Sequence, residues 1–157
     1  MSRELQIVGF RIGRETFGVP ISLVHEIVRV PEITAVPDAP GFVEGVINLR
    51  GKIVSVVDLR KRFGEQERPA DKRNRILVTE LEGKMVGLIV DSASEVLKIP
   101  ESDIGPAPGV FADDEVHYVS GVGKYRDRLI ILVDLNKILQ KGELRRLGEV
   151  PAGAGSN

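Results

Sequence analysis

The apolar residues of the chain recur in short runs with polar residues, glycines and prolines between them, a spacing that is typical of β-strands. Near the N-terminus Leu5, Ile7, Phe10 and Ile12 roughly alternate with polar residues, as the side chains of a half-buried strand do. A turn at residues 13–15 leads into a second strand. Further strands are predicted at residues 26–30, 43–49, 53–57, 76–81, 85–90 and 129–133.

Residues 42–63 show most clearly how these strands are connected. Arg50-Gly51 lies between two apolar runs, and glycine suits a hairpin turn because it reaches positive φ without a Cβ clash. Asp58 follows the second run, where its carboxylate is placed to accept a backbone N–H of a first helical turn. The run at residues 53–57 is apolar on both faces of the predicted strand, so both faces need cover.

This segment occurs twice. Residues 118–139 align without a gap to residues 42–63 at an offset of 76, so that Gly45 matches Gly121, Arg50 matches Arg126 and Asp58 matches Asp134. An internal repeat of this kind indicates that one supersecondary unit was duplicated.

The preceding segment is repeated as well. Residues 12–32 align without a gap to residues 81–101 at an offset of 69, which matches Gly18 to Gly87 and Glu26 to Glu95. Ser22 aligns with Asp91, and because both are good N-cap residues a short helix is predicted to start at each. The change of offset from 69 to 76 places seven extra residues between positions 101 and 118, in a run predicted to be a surface loop.

Each copy supplies about five short strands, and five antiparallel strands joined by tight turns can close into a small barrel that removes most free edges. The prediction is a mainly β protein of two five-stranded barrels with short helical turns and a groove between the barrels. One domain is expected at residues 1–147, with sub-barrels at about 5–64 and 74–141. A charged connector lies at about 65–73, and a disordered tail is expected at 148–157.

Composition narrows the classes of function. The 157 residues are 42% hydrophobic and 29% charged, which is the balance of a globular protein and not of a disordered one. A formal net charge of −1 and mixed charges along the chain argue against a nucleic-acid or anionic-membrane surface. The absence of cysteine excludes disulfides and thiolate metal sites. The N-terminus resembles a strand and not a signal peptide, so a cytoplasmic protein is expected.

No residues in the sequence indicate a reaction. The two histidines, His25 and His117, do not lie in a metal-ligand spacing. Asp58 and Asp134 could be paired catalytic carboxylates, but both lie at equivalent helix starts, so capping explains each of them. No nucleotide-binding or nucleophile motif is present. We therefore expect no catalysis, no metal and no cofactor.

Surplus apolar surface is the remaining feature. Residues 52–57, 85–90 and 129–133 are too uniformly apolar for the exposed side of a small barrel. Either the two barrels cover one another, or part of this surface binds other proteins. Arg50 likewise has two interpretations, a solvated turn residue or an interface anchor that makes several directed hydrogen bonds.

Residues 45–51 (GVINLRG) and 56–60 (VVDLR) closely resemble the signature of the CheW family of bacterial chemotaxis coupling proteins. Residues 24–27 (VHEI), 86–91 (VGLIVD) and 128–134 (RLIILVD) do so too, and the likeness covers about residues 5–141. It implies two SH3-like five-stranded barrels around a shared core. It also implies a non-catalytic adaptor that joins the cytoplasmic tips of methyl-accepting chemoreceptors to the regulatory domain of the histidine kinase CheA.

The resemblance also implies a set of partner-binding residues. Some match family positions that contact or couple to receptor or kinase, and others match motif positions that shape turns and packing. The predicted set is Val24, Glu26, Ile27, Gly45, Asn48, Arg50, Gly51, Gly87 and Val96. The implied adaptor touches no nucleic acid and reaches the membrane only through the receptors of an array. Three alternatives stay open: an output other than chemotaxis, such as twitching motility or a second messenger; a small-ligand or nucleotide-binding barrel; and a nucleic-acid-binding protein.

Overall fold

A computed structural model describes residues 3–37, 43–62, 71–106 and 118–139 of the chain. The predicted tail, most of the extra loop and most of the connector lie outside these residues. The strands are β1 (Glu4–Ile12), β2 (Glu15–Pro20), β3 (Val24–Arg29), β4 (Val43–Leu49), β5 (Lys52–Asp58), β6 (Arg75–Leu81), β7 (Lys84–Val90), β8 (Ser92–Pro100), β9 (Ile104–Gly105), β10 (Val119–Tyr125) and β11 (Arg128–Val133). The helices are α1 (Leu59–Arg62) and α2 (Leu135–Ile138), with 3₁₀ turns at Ile21–Leu23 and Glu101–Asp103.

The strands form two sheets, which confirms the prediction of a mainly β fold. The first sheet has the order β8-β1-β2-β11-β10-β9, and the second has the order β3-β6-β7-β5-β4. The second sheet has the expected five strands. The first has six because the two-residue β9 pairs with β10.

The sheets do not follow the two sequence copies. Each sheet combines the first hairpin of one copy with the later strands of the other, so its members come from both sides of the connector. The exchange occurs because the chain leaves one sheet at Pro20 and at Val90 and starts a strand of the other sheet within four residues. Two parallel pairs, β2 with β11 and β5 with β7, join the copies within each sheet.

Corresponding strands pair in the same register in both sheets. The pair Ser55–Val86 of the second sheet corresponds, at the sequence offsets of the repeat, to the pair Ile131–Phe17 of the first. The β-bulge next to Gly45 in β4 recurs at the corresponding position of β10. The internal repeat therefore specifies the pairing geometry as well as the element order.

Both faces of the central strands are buried, which explains most of the surplus apolar sequence. One face of each sheet contributes to a shared core between the sheets, where Val8, Leu77 and Leu88 lie. The other face encloses a separate core within each sheet. In residues 52–57 and 85–90 the buried side chains are divided between the two kinds of core: Val57, Val86, Leu88 and Val90 lie in the shared core, and Val54, Val56 and Ile89 lie in the inner core of the second sheet. Exposed large apolar side chains on these strands and on β11 are confined to Ile53 and Leu129.

The predicted local signals are largely confirmed. Arg50 (φ 50°) and Gly51 (φ 88°) form the hairpin turn between β4 and β5. The carboxylates of Asp58 and Asp134 accept the backbone N–H groups of Arg60 and Asn136, both at 3.0 Å, as capping requires. The helix predicted to start at Asp91 is wrong, because residues 92–100 form strand β8. At the equivalent Ser22 a 3₁₀ turn is present, but it has no side-chain cap.

Candidate partner-binding surface

An ion pair among the predicted site residues joins Glu26 of β3 to Arg50 of the β4–β5 turn. The Arg50 guanidinium donates to both carboxylate oxygens, with Nη1 2.9 Å from Oε1. This hydrogen bonding holds the pKa of the Glu26 carboxyl below its usual value and raises the pKa of Arg50. Both side chains are therefore charged near neutral pH.

The Arg50 side chain is 70% exposed although it is paired, whereas that of Glu26 is 28% exposed. Arg50 is therefore a solvated turn residue, as the first interpretation predicts, and it has a partner within the same chain. The second interpretation, an interface anchor, stays a prediction. The paired fork orients the guanidinium at the end of the second sheet, where its outer edge faces solvent. A carboxylate of another protein could share the guanidinium without large rearrangement.

The same end of the second sheet carries a second side-chain contact. His25 Nε2 lies 3.0 Å from Glu80 Oε2, and both side chains are about half exposed, at 47% and 52%. Asn48 Oδ1 accepts the Gly51 backbone N–H at 2.8 Å and so stabilises the turn that presents Arg50. Asn48 and Gly51 of the predicted set therefore position Arg50.

Apolar members of the predicted set lie at the margin of the shared core. Ile27 pairs with Leu77 across β3 and β6, and Val96 pairs with Val8 across β8 and β1. Since directly paired residues of antiparallel strands project from the same face, Ile27 and Val96 both lie on the side of the shared core. They are nevertheless 36% and 53% exposed. Val24 is half-buried and packs against the same core.

Ile27 and Val96 correspond to one another in the repeat, so each sheet offers one apolar residue at the edge of the inter-sheet boundary. We call Val24, Ile27 and Val96 the boundary residues. Val24 and Ile27 belong to the second sheet and Val96 belongs to the first. A partner that touched all three would necessarily contact both sheets.

Two of the predicted glycines lie inside the protein. A Cβ on Gly45 would lie 2.3 Å from the carbonyl oxygen of Thr34, whose backbone pairs with Val46 and links the chain after β3 to β4. A Cβ on Gly87 would lie 2.9 Å from Ile76 Cγ2. The structure brings neither glycine to the surface formed by Glu26 and Arg50. Both allow close packing of strands.

Ile53 and Leu129 are exposed apolar residues that the predicted partner-binding set does not contain, although both lie in the apolar runs that the sequence analysis singled out. They are 38% and 60% exposed and follow the β4–β5 and β10–β11 turns at corresponding positions. The signal was available, because an offset of 76 aligns one apolar residue with the other directly after a turn. The described residues contain no cluster that could hold a metal ion, and none of their helices is both long and apolar enough to cross a membrane.

A family model, curated relatives and a solved structure that resemble this chain agree with one another. The family model described as a CheW-like domain matches residues 6–143. A chemotaxis protein CheW of Klebsiella aerogenes is 35% identical over 141 residues, which are 90% of this chain and 85% of the relative. One of Helicobacter pylori is 36% identical over 137 residues, at 87% and 82% coverage. The crystal structure of the scaffolding protein TtCheW from Thermoanaerobacter tengcongensis superposes with a TM-score of 0.79 at 41% identity. The match covers 91% of this chain and 96% of that one.

Proposed function

The chain belongs to the CheW family, and from this premise we propose that it is a non-catalytic adaptor of chemotaxis-type signalling. In this role it joins the cytoplasmic tips of methyl-accepting chemoreceptors to the regulatory domain of the histidine kinase CheA. The protein acts in the cytoplasm and is recruited to membrane-associated receptor arrays. The alternative of a small-ligand or nucleotide-binding barrel is not favoured, because the named relatives are chemotaxis and scaffolding proteins.

The observation that carries the proposal is the placement of exposed and half-buried apolar residues at two places, the boundary between the sheets and the end of the second sheet. Val24, Ile27 and Val96 flank the boundary between the sheets, and Ile53 projects from the end of the second sheet near Arg50. The boundary residues suit the helical hairpin tip of a receptor, because an amphipathic helix binds with its apolar side in a groove. The end of the second sheet suits the kinase domain, with Arg50 at the edge toward the receptor.

Two partners bound at once produce coupling without any reaction. When one partner is bound, the second contact becomes nearly intramolecular, so modest pairwise affinities suffice to build an array. A change in the receptor tip then alters the kinase through contacts that differ between the two receptor states. Gly45, Asn48, Gly51 and Gly87 support this surface by holding the strands and the turn in place.

Arg50→Glu is the direct test. The substitution places a second carboxylate beside Glu26, so we expect loss of receptor-tip capture in a pull-down with purified chemoreceptor tip and CheA. The matched control is Arg126→Glu, because Arg126 occupies the corresponding turn of the other copy and lies over the Tyr125 ring, 5.3 Å from its centroid. This control should retain both partners. A folded Arg50→Glu protein that keeps full binding and signalling would show that Arg50 is only a turn residue.

A double variant with the two charges exchanged tests whether Arg50 contacts the partner or only shapes the turn. Glu26→Arg together with Arg50→Glu restores an ion pair of reversed direction. Recovery of receptor binding in the double variant would mean that the pair only shapes the turn. Continued loss is the expected result, since the partner would then meet the wrong charge at each position.

A further inference from the structure

A polar network connects the two sheets where the chain passes from the second sheet into the first. Asp91 lies between the last residue of β7 and the first of β8. Its backbone N–H donates to the Arg11 carbonyl at 3.0 Å, and its Oδ2 accepts the Gly13 N–H at 2.7 Å. Arg11 and Gly13 belong to the β1–β2 hairpin of the first sheet, so one side of Asp91 is fixed there.

The other side of Asp91 is held by residues that flank strands of the second sheet. Its Oδ1 accepts from Arg60 Nη1 at 3.3 Å, and its carbonyl accepts from Asn74 Nδ2 at 3.2 Å. Arg60 in turn donates to both oxygens of Asp58, at 3.0 Å from Nε and from Nη2. We call Asp58, Arg60, Asn74 and Asp91 the inter-sheet network.

The charged side chains of the inter-sheet network are largely shielded from solvent, so their contacts contribute to holding the sheets. The side chains of Asp58, Arg60 and Asp91 are 7%, 14% and 20% exposed. The hydrogen bond to Asp58 raises the pKa of Arg60, so the guanidinium stays charged. Loss of Asp91 alone would leave Arg60 paired with Asp58. A variant at position 91 is therefore expected to fold.

At the other crossing between the sheets, the described residues form no counterpart of the Asp91–Arg60 contact. At the repeat offsets, Asp91 corresponds to Ser22, Arg60 to Asn136 and Asn74 to Leu5. Within the described part of the chain, no side-chain hydrogen bond of Ser22 or Asn136 joins the two sheets. Leu5 and Asn136 instead line a cavity of about 360 Å³ together with Pro20 and Leu132. Asp134, the counterpart of Asp58, also lines this cavity and caps Asn136. Since that crossing is made without a counterpart of the Asp91–Arg60 contact, the fold does not need that contact to change sheets.

From this asymmetry we infer that Asp91 is a positioning residue that fixes the orientation of the two sheets and thereby the shape of the surface formed by the boundary residues. Val24 and Ile27 lie on one sheet and Val96 on the other, so a change of inter-sheet angle alters their mutual distance. The surface proposed for the kinase domain, at the end of the second sheet near Ile53, lies within one sheet and would not be altered. This inference rests on the proposed function only for its consequence in receptor binding.

The orientation itself can be measured without any partner. The chain has no cysteine, so Lys52→Cys on the second sheet and Lys124→Cys on the first allow one spin label on each. We expect double electron–electron resonance to show a broader or shifted distribution of distances between the two labels in Asp91→Ala than in the parent. Ser22→Ala, the counterpart at the other crossing, should leave it unchanged. An unchanged distribution in Asp91→Ala would overturn the inference.

Binding provides the second measurement. Asp91→Ala should weaken binding of a purified chemoreceptor tip by about fivefold or more, within the usual range of coupling between sites, and change binding of the CheA regulatory domain by less than about twofold. Equal weakening of both partners would show a general structural role instead. Should Asp91→Ala fail to fold, Asp91→Asn decides, since an amide has one acceptor oxygen and loses either Gly13 or Arg60. A parent protein that binds neither partner would disprove the proposed function, while the spin-label result would still test the inference.

Discussion

The two sheets share one pattern of strand pairing but fill their inner cores differently. Among the residues that the structure describes, the core inside the second sheet contains six buried side chains, Ile47, Val54, Val56, Ile76, Val78 and Ile89. By the same measure the core inside the first sheet contains four, Ile7, Leu97, Ile99 and Ile130. At two positions the first sheet has glycine where the second has a large apolar side chain, because Val78 corresponds to Gly9 and Ile47 to Gly123.

The comparison shows that strand register and core volume are separate properties of a duplicated barrel. Register is kept because a slip by one residue would exchange the shared core for the inner core on every strand. Volume is free to diverge, since a smaller core still excludes water if neighbouring strands approach more closely at glycine. The second sheet, which presents Arg50 and Ile53, is accordingly expected to be the stiffer of the two.

The largest expected difference between the two sheets is the loss of stability when a large side chain of each inner core is truncated. Ile76 and Ile7 correspond to one another and are 0% and 3% exposed. We expect Ile76→Ala to lower the free energy of unfolding by about 4 kcal/mol and Ile7→Ala by about 2 to 3 kcal/mol, because the cavity left in the fuller core has more wall atoms that lose contacts. Urea unfolding at neutral pH measures both. Equal losses would mean that the two inner cores are equally well packed.

A methyl group added at the glycines of the two corresponding β-bulges should cost less stability than the core truncations. The cost should again be larger in the second sheet than in the first. The Cβ of Gly45→Ala would lie 2.3 Å from the Thr34 carbonyl oxygen at φ 154°, and that of Gly121→Ala would lie 2.9 Å from the Gly105 carbonyl oxygen. We expect losses of about 3 kcal/mol at Gly45 and about 1 kcal/mol at Gly121, since overpacking typically costs in this range. Thermal unfolding of both variants measures the difference. A larger loss at Gly121 would contradict the packing explanation.

The smallest effect concerns the charged pair of the second sheet. The pKa of Glu26 is lowered in the folded protein by the hydrogen bond from Arg50, so the pair contributes stability above the unfolded pKa of about 4.5. That contribution is lost as the pH falls through the lower folded pKa. The stability difference between the parent and Glu26→Gln should therefore be present at pH 7 and vanish in acid. A difference that persists unchanged in acid strong enough to protonate the carboxyl in both the folded and the unfolded state would rule out the ion pair as its source.

The sequence by itself determined the features that depend on local backbone chemistry and on the repeat. The mainly β fold, the Arg50-Gly51 turn and the capping roles of Asp58 and Asp134 follow from hydrogen bonds within a few residues and from residue types that favour them. The repeat also aligned Ile27 with Val96, and Ile53 with Leu129, before any contact was known.

Only the tertiary structure decided which strands of the two copies share a sheet, because either copy satisfies the same hydrogen-bonding pattern. It likewise decided that Glu26 meets Arg50, that Asp91 joins two sheets and starts no helix, and that Gly45 and Gly87 are buried. Such contacts join residues that are far apart in the chain, from 24 positions for Glu26 and Arg50 to 78 for Gly13 and Asp91. Nothing in local propensity specifies them, since they depend on how the shared core brings the two sheets together.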